Sequence, residues 1–125
     1  PPIILVLARF QHAYFAYSVV ALAPFRKANL PDAHFRQANL QSADFSKAQL
    51  PRANFARANL AQSNLQHADL TESNLWQANL CGANLHHAIL TDANLTSIVA
   101  DQSTVLPDGT HWTPEVDLSI FTRSN

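Results

Sequence analysis

From Ala23 to Ser97 the chain is written in fifteen consecutive five-residue units with no insertion between them, and this period restricts the possible folds more than any other feature. Counted as Ala-x-[Leu/Phe]-x-x, the third position is Phe25, Leu30, Phe35, Leu40, Phe45, Leu50 and Phe55, then Leu60, Leu65, Leu70, Leu75, Leu80, Leu85, Leu90 and Leu95. The first position is Ala except at Ser63 and Ser73. Asn fills the position between in nine units, with Asp44 and Asp69 in two more. A short fixed period of this kind means a stacked, quasi-one-dimensional fold in which each unit buries its apolar face only against its neighbours.

A helix turns about 100° per residue, so a five-residue period scatters the leucines around the cylinder and leaves no apolar stripe. A continuous strand fails too, because an odd period sends successive leucines to opposite faces. The chain must therefore turn within every unit. Inside a unit, Ala and Leu are two apart and share a face while Asn points away, the pattern of a very short extended segment. The last two positions suit a corner. Leu and Phe supply the core, and the first position is small because it also points inward, where extra methylenes cost about 1 to 3 kcal/mol. Gly82 and Gly109 are the only glycines. The corners are thus not expected to depend on glycine at positive φ, as a regular type II turn prefers.

These residues resemble the pentapeptide repeat family, whose consensus A-[DN]-L-x-x matches Ala-Asn-Leu at 28–30, 38–40, 58–60, 78–80, 83–85 and 93–95. The resemblance implies an all-β fold, a right-handed quadrilateral β-helix with four units, or twenty residues, per coil. It suggests four to five coils and a carboxyl-terminal cap. Leucine-rich repeats, the nearest rival at a twenty-residue period, space their leucines irregularly and do not place Ala at every fifth residue.

The length suits one domain, divided as a degenerate coil or cap at 1–22, the repeat rod at 23–97, and a cap with tail at 98–125. The stretch Ile3-Ile4-Leu5-Val6-Leu7 opens an apolar run near the length of a membrane span. Arg9, Gln11 and His12 interrupt it, so a membrane-associated module is a minor alternative. The register also continues backwards through Ala8-Arg9-Phe10, Ala13-Tyr14-Phe15 and Ser18-Val19-Val20, which favours a coil. No signal peptide is evident. With Cys81 alone, neither an intrachain disulfide nor a thiolate cluster can form. The compartment stays open, with the cytoplasm as default. After Leu95 the pattern decays, Leu106-Pro107-Asp108-Gly109-Thr110 reads as a turn resembling the endings of some bacterial members, and Trp112, Val116, Leu118, Ile120 and Phe121 can cover the last coil. The amino end has no charged gatekeeper before Arg9. A homodimer through the amino-terminal coil is expected, with burial under further chain as the alternative.

With twenty residues per coil, outward positions align in columns. Arg26, Lys27, Lys47, His67, His86 and His87 form a basic stripe too sparse for nucleic acid, and the histidines lack a carboxylate or thiolate to complete a metal site. Asp32, Arg52 and Glu72 suggest an axial ion-pair ladder. Arg57 falls near Trp76, a cation–π pair or an aromatic anchor. Gln41, Ser42, Ala61, Gln62, Cys81 and Gly82 make an uncharged, flat column, the preferred surface for a protein contact. The asparagines are expected to bond the adjoining turns.

Net charge is −1, but residues 1–60 carry seven Lys/Arg against two acids, or +5, and residues 61–125 carry one against seven, or −6. The leading expectation is a non-enzymatic interaction or scaffold module for an unidentified protein, without catalytic residues, cofactor, metal, small-molecule substrate or nucleic acid. The alternative that the resemblance implies, mimicry of duplex DNA to bind DNA gyrase, needs dense negative charge along the rod, and the first half is positive. If the period is read correctly, far-ultraviolet circular dichroism will report β-structure and turns. A helix content above about a third, the share in an average globular protein, overturns the fold.

Overall fold

The computed structural model describes residues 12–124. The apolar run at Ile3–Leu7 and the Ala8-Arg9-Phe10 register lie outside them. Each unit contributes one bridging residue to a parallel ladder with a twenty-residue step, as in Asn39 to Asn59 to Asn79. The ladder consumes most of the backbone polarity. Leu30 N–H donates to the Gln49 carbonyl at 2.8 Å, Gln49 N–H donates back to Ala28 at 2.8 Å, and Asp32 N–H reaches Pro51 at 2.9 Å. Coils of four units thus stack by bonds running along the rod axis.

Between bridges the chain turns sharply, and the turn is closed locally: Ala58 N–H donates to the Phe55 carbonyl at 2.9 Å, and the same bond recurs from unit to unit. From His12 to Ser97 every fifth residue has φ between +54° and +73°. An i to i+3 bond with positive φ at the third turn residue is the type II pattern. The corners are therefore of the kind that prefers glycine, yet all but Gly82 use another residue. Left-handed backbone costs an L-residue roughly 1 to 2 kcal/mol, and here the turn bond and inter-coil bonds hold it in place. Val, Ile, Thr and Pro are missing from that position in every unit, whereas Pro31 and Pro51 sit one residue earlier, where a fixed negative φ suits the turn.

The interior is filled in layers. Ala in first position and Leu or Phe in third are buried from Phe25 to Leu90. Phe15, Phe35 and Phe55 stack on one side at centroid distances of 5.0 and 4.9 Å, Phe25 and Phe45 on the other at 4.8 Å, and the two stacks meet edge to face at 5.5 to 5.7 Å. Leucines occupy the remaining sides, and beyond Phe55 all four. The Ser63 and Ser73 hydroxyls are buried in Ala positions with no hydrogen-bond partner among the described residues.

Residues 12–22 carry the same turns and bridges, Tyr14 pairing with His34 and Val19 with Asn39. At the other end the repeat does not stop at Leu95. A single extra residue lengthens the unit before Thr104. Thr104-Val105-Leu106 then re-enters the ladder twenty-one residues after Asn84, with Thr104 and Leu106 buried. The segment read as a turn therefore begins on a core leucine, and Pro107 takes the same turn position as Pro31 and Pro51. The Thr104 hydroxyl donates to the Leu80 carbonyl at 2.8 Å. A tight reversal at 106–110 brings His111 back antiparallel to Val105. The short helix α1, Ser119–Thr122, then lays Phe121 against the core. Asp92 N–H donates to the Thr122 carbonyl at 2.8 Å, while Ile120, expected to help cover the last coil, is half exposed. No helix among the described residues is long and apolar enough to cross a membrane.

Inward and outward positions should respond differently to substitution. Ala58→Leu is expected to lower stability by about 1 to 3 kcal/mol, and Gln62→Ala to stay within about 0.5 kcal/mol. Ser63→Ala removes a buried hydroxyl without a partner and should raise stability by about 1 kcal/mol. Equal denaturation midpoints for Ala58→Leu and Gln62→Ala would contradict the packing.

Candidate functional site

The rod offers four corners and four walls, and each sequence-level candidate falls on one of them. The asparagine column is occupied in holding the corners. Asn54, Asn59, Asn64, Asn74, Asn79, Asn84 and Asn94 each accept the backbone N–H two residues on at 2.9 to 3.0 Å, and Asp44 and Asp69 accept a Ser46 or Thr71 hydroxyl as well. These are Asx-turns, the local competition that suits Asn and Asp to corners.

The basic corner carries Arg26, Lys27 and Lys47, then three histidines. The His86 and His87 rings stack at 3.8 Å and His67 and His87 at 4.8 Å. Side-by-side rings do not converge on a point, and no group of three metal-ligating side chains able to hold an ion occurs among the described residues. On the next corner Asp32 holds Arg52 in a two-pronged bond, Nε to Oδ1 at 2.8 Å and Nη2 to Oδ2 at 3.0 Å. This bond is the first cause that raises the Arg52 pKa, Asp32's charge the next, and Glu72 adds a smaller push. Both partners meet solvent, so water and salt screen the pair and it adds little to stability.

The third corner joins Arg57 to Trp76, its guanidinium carbon 5.2 Å from the ring centre, while Nε donates to the Gln77 side chain at 2.9 Å. The indole is thus already in use as a cation platform. The fourth, uncharged corner stacks Gln41-Ser42, Ala61-Gln62 and Cys81-Gly82. A side chain on Gly82 would approach the Gln62 Cγ at 3.1 Å, so the column packs closely there.

Above that corner sits a group that the sequence reading missed. Asp101, in the lengthened unit, accepts the Ser103 N–H at 2.9 Å and bonds the Ser103 hydroxyl, within electrostatic reach of the Gly82 N–H and the Cys81 thiol. The Ser103 hydroxyl is the first cause that lowers the Asp101 pKa. Burial, then the charge of Asp101, pushes the Cys81 thiol up. The available signal was arithmetic, since Asp101 follows Cys81 by one coil. Asp108 and Asp117 are likewise held low, first by the Thr110 and Ser119 hydroxyls. A carboxylate depressed in the folded state adds stability above its unfolded pKa and loses it as pH falls through the depressed value. Acid is therefore expected to loosen these cap loops.

The family model for pentapeptide repeats, in eight copies, matches residues 22–55 and 58–96. No curated protein matches the chain. Among solved structures, the pentapeptide repeat protein Rfr23 from the cyanobacterium Cyanothece 51142 is 35% identical over 67% of this chain and 63% of its own, with a TM-score of 0.33. HetL from Nostoc sp. strain PCC 7120, a pentapeptide repeat protein involved in heterocyst differentiation regulation, is 26% identical over 86% of this chain and 61% of its own, with a TM-score of 0.38. QnrB1, a plasmid-mediated fluoroquinolone resistance protein, is 13% identical over 74% of this chain and 49% of its own, with a TM-score of 0.54, a likeness of fold alone. The chain thus spans from about half to under two thirds of the length of these structures. The fold is the right-handed quadrilateral β-helix.

Cys81 should alkylate more slowly than an unhindered cysteine at pH 8, because only the thiolate reacts. Asp101→Asn keeps an acceptor for Ser103 and Gly82 but removes the charge, and should speed the reaction several-fold. No change in rate would show that Asp101 does not govern the thiol.

Proposed function

The chain belongs to the pentapeptide repeat family, and from that premise we propose that it is a non-enzymatic module whose rigid rod presents a flat wall to another protein. The observation that carries the reading is the uncharged corner, Gln41-Ser42, Ala61-Gln62 and Cys81-Gly82, together with the adjoining wall of Asn39, Asn59 and Asn79. Its backbone polar groups bond between coils and its asparagine oxygens are committed to turns. Its backbone is already ordered by the ladder, so docking there spares the cost of ordering a loop, one of the terms that most often cancel the gain from contact.

The gyrase-directed alternative is less well supported. A duplex presents one charge per roughly 1.7 Å, whereas six of the eight Lys and Arg lie between Arg26 and Arg57, on the first half of the described rod. Fluoroquinolone resistance belongs to QnrB1, which shares the fold at 13% identity.

A photo-crosslinking side chain at position 62, introduced in the source cells, should capture a discrete protein adduct. The same side chain at Asp92, on the opposite corner, should not, and Ala61→Arg should abolish the adduct. Equal labelling from both corners, or none, would sink the assignment of this surface.

A further inference from the structure

The wall between the tryptophan corner and the uncharged corner reads Val19, Asn39, Asn59, Asn79, Val99 from coil to coil. Val19 is 78% exposed and Val99 52%. The column is the same in both directions, apolar at its ends and amide at its centre, with Asn59 in the middle. The charge of the rod has the opposite property. Among the described residues it changes sign along the axis, from +4 over residues 12–60 to −6 over residues 61–124. A surface pattern that reads the same both ways, on a body whose charge reverses, suits one kind of partner.

We propose that this wall docks a second copy of the chain, antiparallel, about a two-fold axis through Asn59. The proposal rests on the reading of this wall as a protein-contact surface and names its occupant. Under that axis Val19 of one copy meets Val99 of the other, Asn39 meets Asn79, and Asn59 meets itself, as an isologous contact requires. The basic half of each rod then lies along the acidic half of its partner. A parallel pair would set like charge against like. The flanking corners accept the arrangement. On the uncharged side Ser42 comes opposite Gly82, and Gln62 opposite Gln62. On the other side Arg36 comes to the level of the second copy's Trp76, and the two Arg57 side chains do not collide, because each is drawn toward its own next coil by Gln77 and Trp76.

The contact is small. At about 4.8 Å per rung the column is about 20 Å long and one extended unit wide, short of the roughly 800 Å² per partner of a standard stable interface. The dimer is therefore concentration-dependent and weakened by salt, which screens the axial charge. The arrangement differs from end-to-end pairing through the amino-terminal coil, which would bring two basic halves together.

Cross-linking distinguishes the arrangements. In a Cys81→Ser background, Val19→Cys and Val99→Cys proteins are mixed and treated with a short bismaleimide, since packed sheet faces lie about 10 Å apart, beyond the reach of a direct disulfide. The mixed Val19→Cys with Val99→Cys product should form at least tenfold faster than either self-product, and Asn59→Cys should couple to itself. Sedimentation of the unmodified chain should show a dimer that grows with concentration and recedes in about 1 M salt. Faster self-coupling of Val19→Cys overturns the proposal in favour of end-to-end pairing. A monomer up to millimolar concentration overturns it outright. If that monomer still gives the adduct from position 62, the second-copy assignment has failed while the protein-contact reading stands; loss of both removes both.

Discussion

The hydrogen-bond ladder between coils is the constraint on which the rest of the molecule depends. It fixes the stacking distance, and that distance selects the side chains on both sides of the backbone. Inside, equivalent phenylalanines fall 4.8 to 5.0 Å apart with rings within 6° of parallel, a separation aromatic stacking tolerates. The narrow layer leaves room for Ala or Ser, and takes the larger Thr104 only where the unit before it is lengthened. At the corners the ladder demands a right-angled change of direction within two residues, and the chain meets that demand with left-handed backbone at every fifth position, with glycine there only at Gly82. Individually each such residue is strained. The turn bond and the bonds to the coils above and below over-determine its conformation, which is the condition under which strain persists.

Much of this was legible because the period excluded helix and continuous strand. The twenty-residue coil came from family resemblance, and the bridges from Asn39 to Asn59 to Asn79 bear it out. Positive φ at the corners was missed because glycine is scarce, although a second signal was present: the fifth position never holds a β-branched residue, while the fourth holds Pro31, Pro51, Thr71, Thr91 and Thr96. The unit Thr104-Val105-Leu106 was missed because one extra residue moved it out of phase, and a fixed count cannot see past a phase shift. Arg57 and Trp76 were legible as neighbours because they differ by nineteen, one residue short of a coil. The carboxylate over Cys81 stood one coil beyond the thiol by the same count, but it was overlooked because the repeat pattern decays after Leu95.

The two ends of the described rod differ in kind. At the carboxyl end a hairpin, α1 and Phe121 finish the ladder, and short-range bonds from Asp101, Asp108 and Asp117 pin the finishing loops. At the other end Tyr14, Tyr17, Val19 and Leu22 are all more than 60% exposed, at ladder positions where the next coil carries His34, Gln37, Asn39 and Ser42. Surface chemistry therefore changes along the axis while the backbone does not.

A uniform ladder is nearly invariant to translation by one coil, so a partner displaced by about 4.8 Å finds the same backbone contour and loses only whatever the side chains say differently at each level. The rod resembles a ruler whose graduations are identical and whose numerals alone distinguish them. Specificity of placement is then carried by the few levels where a column breaks its own rule, and those breaks set the energy gap between correct docking and docking one graduation off.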